Sequence, residues 1–203
     1  RKLYPVERLR NRSKMIVAFL GESVKAYQSG FIQQLDKLSL RCSICQGAYK
    51  PHAWCMRKAR TGSGVCHLRV LRVKCAGCNG THLVLPDFLR PYGRYTQHVR
   101  QKAILACLAG VAAEKAAICG QAAETIRRWI ARFKADLEEA SAALRSLLAR
   151  HGRFEPPGRG SPLRRLARVR AQVVSAFGGR PAHSCLLGLA NILLTQVDLP
   201  VWV

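Results

Sequence analysis

The chain has 203 residues, of which 49% are apolar, a composition that is typical of a globular protein and excludes a largely disordered one. Lys and Arg number 34 against 11 Asp and Glu, so the formal net charge is +23 and nucleic acid is the partner that the charge favours first. A membrane is disfavoured, because the longest apolar stretch, residues 182–194, is too short to cross a bilayer.

The N-terminal segment, residues 1–40, is predicted to form a strand followed by one or two short helices. Its apolar run at residues 15–20 follows a basic stretch but is too short for the hydrophobic region of a signal peptide, and no small-residue cleavage site follows. We therefore expect a cytoplasmic protein, with Met15 as a candidate for the natural start.

Residues 41–95 are predicted to form a small zinc ribbon, in which short β-like pieces, most clearly at residues 67–74, alternate with Cys and Gly. Two C-x-x-C pairs lie in this segment, and at that spacing one turn aims two thiolates at the same tetrahedral ion. Because four thiolates leave no open coordination position, they predict one structural Zn²⁺ rather than a catalytic metal. The expected ligands are Cys42, Cys45, Cys75 and Cys78.

Glycines accompany both pairs, with Gly47 after the first and Gly77 within the second, where backbone amides must approach the sulfurs. An odd number of cysteines, nine, and the lack of an export signal favour reduced thiols over disulfides. Since the cysteines complete the site, His52, His67 and His82 are expected at the surface or in hydrogen bonds. The remaining cysteines are interpreted as small core residues: Cys55, Cys66, Cys107, Cys119 and Cys185.

The ribbon is strongly basic and contains the single acid Asp87. Arg69, Arg72 and Lys74 lie on its clearest β-like piece and are predicted to contact double-stranded DNA. RNA is an alternative ligand, because zinc knuckles also bind single strands on which exposed aromatic rings stack. We expect the aromatic residues to pack the ribbon instead: Tyr49, Trp54, Tyr92 and Tyr95.

Residues 96–150 are Ala-rich and lack Pro, and they are predicted to form three helices, the last one long, with interruptions near Gly110 and Gly120. In a helix-turn-helix, the helix after Gly120 is the recognition helix, and its apolar and basic residues fall on opposite sides. The alternative is a solvated basic face on an ordinary helix. The predicted DNA contacts are Glu124, Thr125, Arg127, Arg128 and Arg132.

Apolar residues continue along the long helix in a heptad seam, which has two possible uses. A homodimer through Leu137, Leu144 and Leu147 would place two recognition helices on one duplex. Equally, C-terminal helices in residues 163–203 would cover the seam after a Pro- and Gly-rich linker at residues 151–162. The seam consists of Ile126, Ile130, Phe133, Leu137, Ala140, Leu144 and Leu147.

The chain resembles a family of small, largely uncharacterised bacterial proteins that couple an N-terminal zinc ribbon to a helix-turn-helix and occur with transposase genes. The stretches that carry the resemblance are MIVAFLGESVKAY, CSIC, LRVKCAGCNGTHLVLPDFLRPYGRY and ETIRRWIARF. The resemblance implies a role in mobile-element biology without catalysis: recognising transposon ends, recruiting a transposase or regulating its expression.

Two features depart from the usual helix-turn-helix pattern. Gln121 occupies a position that usually carries an apolar residue, and Ala122 and Ala123 stand where base contacts are often made. They weaken the expectation of direct base readout, although alanine still contacts a thymine methyl group.

The sequence as a whole predicts a mainly α fold with a small β zinc ribbon, in which a helix-turn-helix is followed by a long helix and C-terminal helices. The predicted function is that of a non-catalytic, nucleoid-associated DNA-binding protein that assists or targets transposition or regulates a mobile element. The alternative is an adaptor that docks on a transposase. An enzyme is disfavoured, because Asp36, Asp87 and Asp136 are scattered rather than clustered around metal ions, and no deaminase or phosphate-loop motif occurs.

Overall fold

The computed structural model describes residues 15–21, 23–36, 40–42, 45–154, 159–177 and 185–189. Within these ranges the chain contains four strands and four helices, and residues 186–189 form one further helical turn. In chain order the elements are β1 (Met15–Ala18), α1 (Val24–Asp36), β2 (Tyr49–Thr61), β3 (Gly64–Cys75), β4 (Thr81–Pro86), α2 (Gln97–Leu108), α3 (Ala123–Arg150) and α4 (Pro162–Phe177).

The four strands form one mixed sheet in the order β1-β4-β3-β2. β2 and β3 make a long antiparallel hairpin, β3 pairs antiparallel with β4, and β1 pairs parallel with β4. The prediction of a mainly α chain with a small β ribbon is therefore wrong, and the protein has an α/β fold. The all-apolar sequence of β1 suits a strand buried in a parallel pair, and it brings the N-terminal segment into the sheet of the ribbon.

Helix α1 lies across this sheet and closes the first core. The Tyr27 ring is stacked on Phe31 with centroids 4.8 Å apart and meets the edge of Phe88 at 5.9 Å. Its hydroxyl donates to the backbone carbonyl of Arg69 at 2.6 Å, which satisfies the polar end of a nearly fully buried side chain. Burial raises the pKa of Tyr27 well above its ordinary value.

Between α2 and α3 the chain makes turns instead of the predicted middle helix. The amides of Lys115 and Ala116 both donate to the carbonyl of Ala112, which closes one helical turn. Gly110 and Gly120 have φ of 97° and 70°, so the backbone reverses on either side of that turn. The prediction of three helices in residues 96–150 is therefore wrong, and α2 and α3 are joined by a loop containing a single helical turn.

Helix α4 packs along the heptad seam of α3 in the same chain direction. Arg165, near the start of α4, forms an ion pair with Glu138, and Phe177 at its end meets His151 with ring centroids 4.8 Å apart. The seam residues Leu137, Leu144 and Leu147 are buried in a core that they share with α4. Of the two uses predicted for the seam, intrachain cover is the one observed.

A second core thus lies around α3, and contacts connect it to the sheet. Arg90, after β4, lies 3.9 Å from the carboxylate of Asp136, and the rings of Tyr95 and Trp129 meet edge to face at 5.1 Å. On the C-terminal side, Leu187 accepts a hydrogen bond from Gln97 at 3.1 Å. These contacts hold the helical part against the end of the sheet where β4 runs into α2.

Candidate metal centre and basic surface

The four cysteines of the predicted ribbon meet at one end of the sheet. All four Sγ atoms lie within 4.8 Å of one another, with Cys42 and Cys78 at 3.7 Å and Cys45 and Cys75 at 3.3 Å. A tetrahedron with bonds of about 2.3 Å has edges of about 3.8 Å, so the cluster has the size of a zinc tetrathiolate. The donor set and its spacing fit a metal ion with no open position.

The first knuckle, formed by Cys42, Cys45, Gln46 and Gly47, is closed by backbone hydrogen bonds. The amide of Cys42 donates to the carbonyl of Gly47 at 3.0 Å, and the amide of Gln46 donates to the carbonyl of Cys42 at 2.8 Å. Gln46 has a φ of 58°, which is the left-handed conformation that turns the chain back toward the sulfurs.

The second knuckle, formed by Cys75, Cys78, Asn79 and Gly80, repeats this geometry. Cys75 donates to Gly80 at 2.9 Å, Asn79 donates to Cys75 at 3.1 Å, and Asn79 also has a φ of 58°. Sequence reasoning named Gly47 but missed its equivalent, Gly80. The repeated pattern C-x-x-C-x-G in CSICQG and CAGCNG would have revealed it.

Glycine is required where the two knuckles approach each other. A Cβ atom at Gly77 would lie 2.9 Å from the Sγ of Cys45, and one at Gly47 would lie 3.0 Å from the Sγ of Cys75. The amide of Gly77 donates toward the Sγ of Cys75 at 3.4 Å. The absence of these two side chains therefore lets backbone amides reach the thiolates.

The thiols of the second knuckle have opposite pKa shifts. The backbone amide of Cys78 lowers the pKa of Cys75, because it donates to the thiolate form. The pKa of Cys78 is raised to about 11: the amide of Gly80 favours its thiolate, but hydrogen bonds with the neighbouring thiols Cys42 and Cys75 outweigh it. A bound cation would remove this opposition by stabilising all four thiolates together.

The other cysteines and the histidines do not join this cluster, which is the one group of potential ligands found in the described residues. His52 and His67 are exposed, whereas His82 is buried with its ring 5.1 Å from that of Tyr49. Burial raises the pKa of Cys66 and Cys119, as expected for thiols that stay protonated. The remaining cysteines outside the cluster are half-buried: Cys55, Cys66, Cys107, Cys119 and Cys185.

The predicted DNA-contacting residues of the recognition helix lie in the N-terminal half of α3. Arg127 forms ion pairs with Glu114 and, at 3.9 Å, with Glu124. Arg132 lies 3.3 Å from Asp136, whereas Arg128 donates to the hydroxyl of Thr125 at 3.4 Å. The exposed members of this group are Glu124, Arg127, Arg128 and Arg132.

The basic residues predicted on the ribbon do not share one face. Successive residues of a strand point to opposite sides, so Arg69 and Arg72, three positions apart on β3, lie on opposite faces of the sheet. The guanidinium of Arg69 lies 4.9 Å from the ring centre of Trp54. Lys74 shares the face of Arg72 and is paired with Lys50 across the hairpin.

Three of the four aromatic residues contact another ring, although Tyr95 does so with α3 outside the ribbon and Trp54 remains 43% exposed. Tyr49 contacts His82, Tyr95 contacts Trp129, and Trp54 meets the edge of Phe31 at 5.3 Å. Tyr92 is the exception, because 78% of it is exposed. Its predicted packing in the ribbon is wrong.

Residues 42–129 match the family model of a domain of unknown function, DUF6431. The DUF6431 segment begins at Cys42, the first cysteine of the cluster, and ends on Trp129 of α3, so it joins the knuckles, the hairpin and the start of the basic helix in one unit. No curated protein and no solved structure matches the chain. Among the described residues, none of the helices combines the length and the apolar character needed to cross a bilayer.

Proposed function

We propose that the protein is a non-catalytic DNA-binding protein in which α3 presents a basic face to the duplex and a structural zinc supports the sheet that holds α3 in place. The observation that carries the proposal is the outward face of the first turns of α3. Arg127 and Arg128 are exposed there, while the neighbouring Ile126 is fully buried. A helix anchored on one side and basic on the other has the form with which proteins enter the major groove.

The anchoring of α3 supports this proposal. Ile126 packs into a small core with Ala103 of α2 and Ala116 of the connecting turn. The side chain of Gln121 accepts hydrogen bonds from the amides of Ile118 and Cys119 at 2.8 Å and 3.0 Å, so this polar residue closes the turn in place of an apolar one. The start of α3 is thereby held at a fixed angle to α2.

The arginines of this face differ in how readily they would contact a phosphate. Arg127 already pairs with Glu114 and Glu124, and Arg132 with Asp136. Arg128 is hydrogen-bonded to a neutral hydroxyl, so no ion pair with those acids has to be broken when it contacts a phosphate. We expect Arg128 to contribute more to DNA affinity than Arg127 or Arg132.

The cellular role that we propose is that of an accessory or targeting factor in transposition, or of a regulator of a mobile element. This finer role rests on the sequence resemblance to proteins that occur with transposase genes. In the proposed assembly the zinc stabilises the knuckles, since the closed donor set offers no coordination position to a substrate.

A second candidate, an adaptor that docks on a transposase, is favoured by the outer face of the β2–β3 hairpin. Trp54 and Met56, two positions apart on β2, lie on one face of the hairpin and are 43% and 63% exposed there. Apolar side chains grouped on one exposed surface are typical of a protein-binding site. Met56→Glu would abolish binding to the transposase of the same element but leave DNA affinity unchanged if docking is the main function.

The proposal is tested by measuring binding of the zinc-loaded protein to random and element-end duplexes across a salt series. We expect the logarithm of the affinity to fall linearly with the logarithm of salt, with a slope of about 0.9 per phosphate neutralised. Arg127→Ala with Arg128→Ala should weaken binding and flatten the slope.

The matched control is Arg150→Ala with Arg153→Ala, which removes the same charge. Arg150 lies about 33 Å further along α3 than Arg128, at a rise of about 1.5 Å per residue. Equal losses in both double variants would mean that charge alone, and not the α3 face, determines binding. Wild-type protein that carries zinc but binds no duplex would contradict the proposed function itself.

A further inference from the structure

The loop between β4 and α2 presents a tyrosine to solvent in a backbone conformation that tyrosine disfavours. Tyr92 is 78% exposed and has a φ of 60°. The left-handed region is disfavoured for a residue with a Cβ atom and is usually filled by Gly or Asn. An aromatic residue that neither packs nor relaxes its backbone is not explained by the stability of the fold.

Tyr92 lies in a tight turn formed by residues 90–93. The amide of Gly93 donates to the carbonyl of Arg90 at 2.9 Å, and Pro91 occupies the second position, as in a type II turn. Tyr92 then stands in the third position, where a positive φ is needed. A Cβ atom at Gly93 would lie 3.1 Å from the Cβ of Arg90, so the turn also needs glycine in its fourth position.

Arg57 of β2 holds both ends of this turn. Its guanidinium donates to the carbonyl of Arg90 at 3.5 Å and to that of Gly93 at 3.2 Å. The backbone of Arg94 is also tied to β2, because its carbonyl accepts from the amide of Arg60 at 2.6 Å. The ring of Tyr92 is therefore presented by a turn that is fixed to the sheet at several points.

The surroundings of the ring are basic. Arg57 lies beneath the turn, Arg90 is its first residue and the exposed Arg94 directly follows its last, whereas the guanidinium of Arg60 lies 5.7 Å from the ring centre of Tyr95. Asp136 lies 3.9 Å from Arg90 and partly offsets its charge. An exposed aromatic ring among guanidinium groups is the combination that proteins use to stack on a nucleobase while contacting the adjacent phosphates.

We propose that Tyr92 stacks its ring on a nucleobase of bound nucleic acid and that Arg94 contacts the backbone phosphate next to that base. This inference rests on the proposed function, since it adds a second nucleic-acid contact, made by the ribbon, to the DNA contact proposed for α3. The base comes either from a duplex, where the ring inserts between neighbouring base pairs, or from an unpaired strand. The left-handed turn fixes the ring in an exposed position before binding, so little ordering is needed when the base arrives.

The first measurement compares the affinities of wild type, Tyr92→Phe, Tyr92→Ala and Tyr92→Gly for one duplex and for one of its single strands. Phe keeps the stacking ring and should bind within twofold of wild type. Ala and Gly should bind about 5- to 150-fold more weakly to whichever form supplies the base, which is the range for one base–aromatic stack. Phe154→Ala is the control, because Phe154 is 83% exposed in a different loop, and it should bind as wild type does.

Tyr92→Gly also separates binding from folding. Glycine is favoured at this position of the turn, so the variant should unfold at a higher temperature than wild type even though it binds nucleic acid more weakly. A merely structural role for Tyr92 would lower both stability and affinity.

The second measurement is photocrosslinking to DNA that carries 5-iodouracil, followed by mass spectrometry of the crosslinked peptide. We expect a crosslink at residue 92 in wild type and in Tyr92→Phe, and its loss in Tyr92→Ala. Salt-dependent wild-type binding with unchanged affinity in Tyr92→Ala and Tyr92→Gly would overturn the stacking contact and leave the proposed function intact. Wild-type protein that binds neither duplex nor single strand would overturn both.

Discussion

Gln46 and Asn79 adopt the same left-handed backbone conformation, each with a φ of 58°, and each donates its amide to the first cysteine of its own knuckle. The conformation costs a non-glycine residue about 1 to 2 kcal/mol, and Asn tolerates it better than Gln. The first knuckle therefore carries the larger backbone strain. The two knuckles of the candidate metal centre have equivalent geometry but unequal intrinsic stability.

Replacing Gln46 by Gly should stabilise the zinc-loaded protein by about 1 kcal/mol, because glycine adopts a positive φ without the steric penalty. Gln46→Val should destabilise it, since a β-branched residue is the least suited to this conformation. Thermal unfolding and zinc competition with a chelator measure both effects. The informative result is the opposite response to Gly and to Val at position 46, and equal stability of the two variants would contradict the strain assigned to Gln46.

The metal centre itself is tested by zinc content. We expect one zinc per chain in wild type and in Cys55→Ser, and a loss of zinc in Cys45→Ser, because serine is a poor ligand for Zn²⁺ and the site has no spare thiol. Inductively coupled plasma measurements on gel-filtered protein give the ratio. Retention of a full zinc equivalent by Cys45→Ser would contradict the four-thiolate assignment.

The cysteine cluster was predictable because its signal is local. Each C-x-x-C pair closes its own turn, so spacing alone restricts where the sulfurs point. The exposed arginines of α3 were predictable for the same reason, since helical periodicity places Arg127 and Arg128 opposite Ile126. These local patterns do not indicate which distant segments of the chain pair with each other.

The sheet was not predictable from periodicity, because the pairing of β1 with β4 joins distant parts of the chain. Ile16 is paired with Val84 in a parallel ladder, and a short apolar run gives no indication of its partner. The separation of the ribbon cations, by contrast, follows from a local pattern that becomes clear once the strand is known. Arg69 and Arg72 read as one basic patch along the sequence, whereas their odd separation on β3 puts them on opposite faces.

Neutralising Glu114 should strengthen DNA binding. Its ion pair with Arg127 occupies a guanidinium that α3 would offer to a phosphate, and both side chains are more than half exposed. Glu114→Gln releases Arg127 and removes a negative charge near the duplex, so we expect tighter binding at low salt and a salt slope steeper by about 0.9. Binding titrations at several salt concentrations measure both quantities.

Glu139→Gln is the charge-matched control for that experiment. Glu139 is exposed on α3 and lies about 18 Å further along the helix than Arg127, beyond the screening length of about 8 to 10 Å at physiological salt. It should bind DNA as wild type does. An equal gain in both variants would mean that net charge, and not the release of Arg127, controls affinity.

The thiol of the half-buried residue Cys185 should make stability depend on alkaline pH. Burial raises its pKa to about 11 from an ordinary value of 9.0, so the folded chain keeps a proton that the unfolded chain loses between those values. The contribution is fully present below about pH 9 and is lost as the pH rises toward 11, by about 2 kcal/mol. Denaturant unfolding of wild type and Cys185→Ala at pH 8 and pH 10.5 should show a smaller decrease in the variant, and parallel decreases would contradict the assignment.

Because Gly188 has no side chain, the C-terminal segment can approach Asp87, which directly follows β4. A Cβ atom there would lie 2.7 Å from the Oδ2 atom of Asp87, a carboxylate that is 2% exposed and has little room to move. Gly188→Ala should therefore push residues 185–189 away from Gln97, whose side chain donates to the carbonyl of Leu187, and should destabilise the fold by about 1 to 3 kcal/mol. Gly62→Ala is the control, because its Cβ atom would meet Ile118 at an ordinary 3.9 Å. Since Gly188 lies far along the chain from the knuckles, the variant should lose stability while keeping its full zinc content, and a joint loss of zinc would mean that the C-terminal segment supports the metal centre as well.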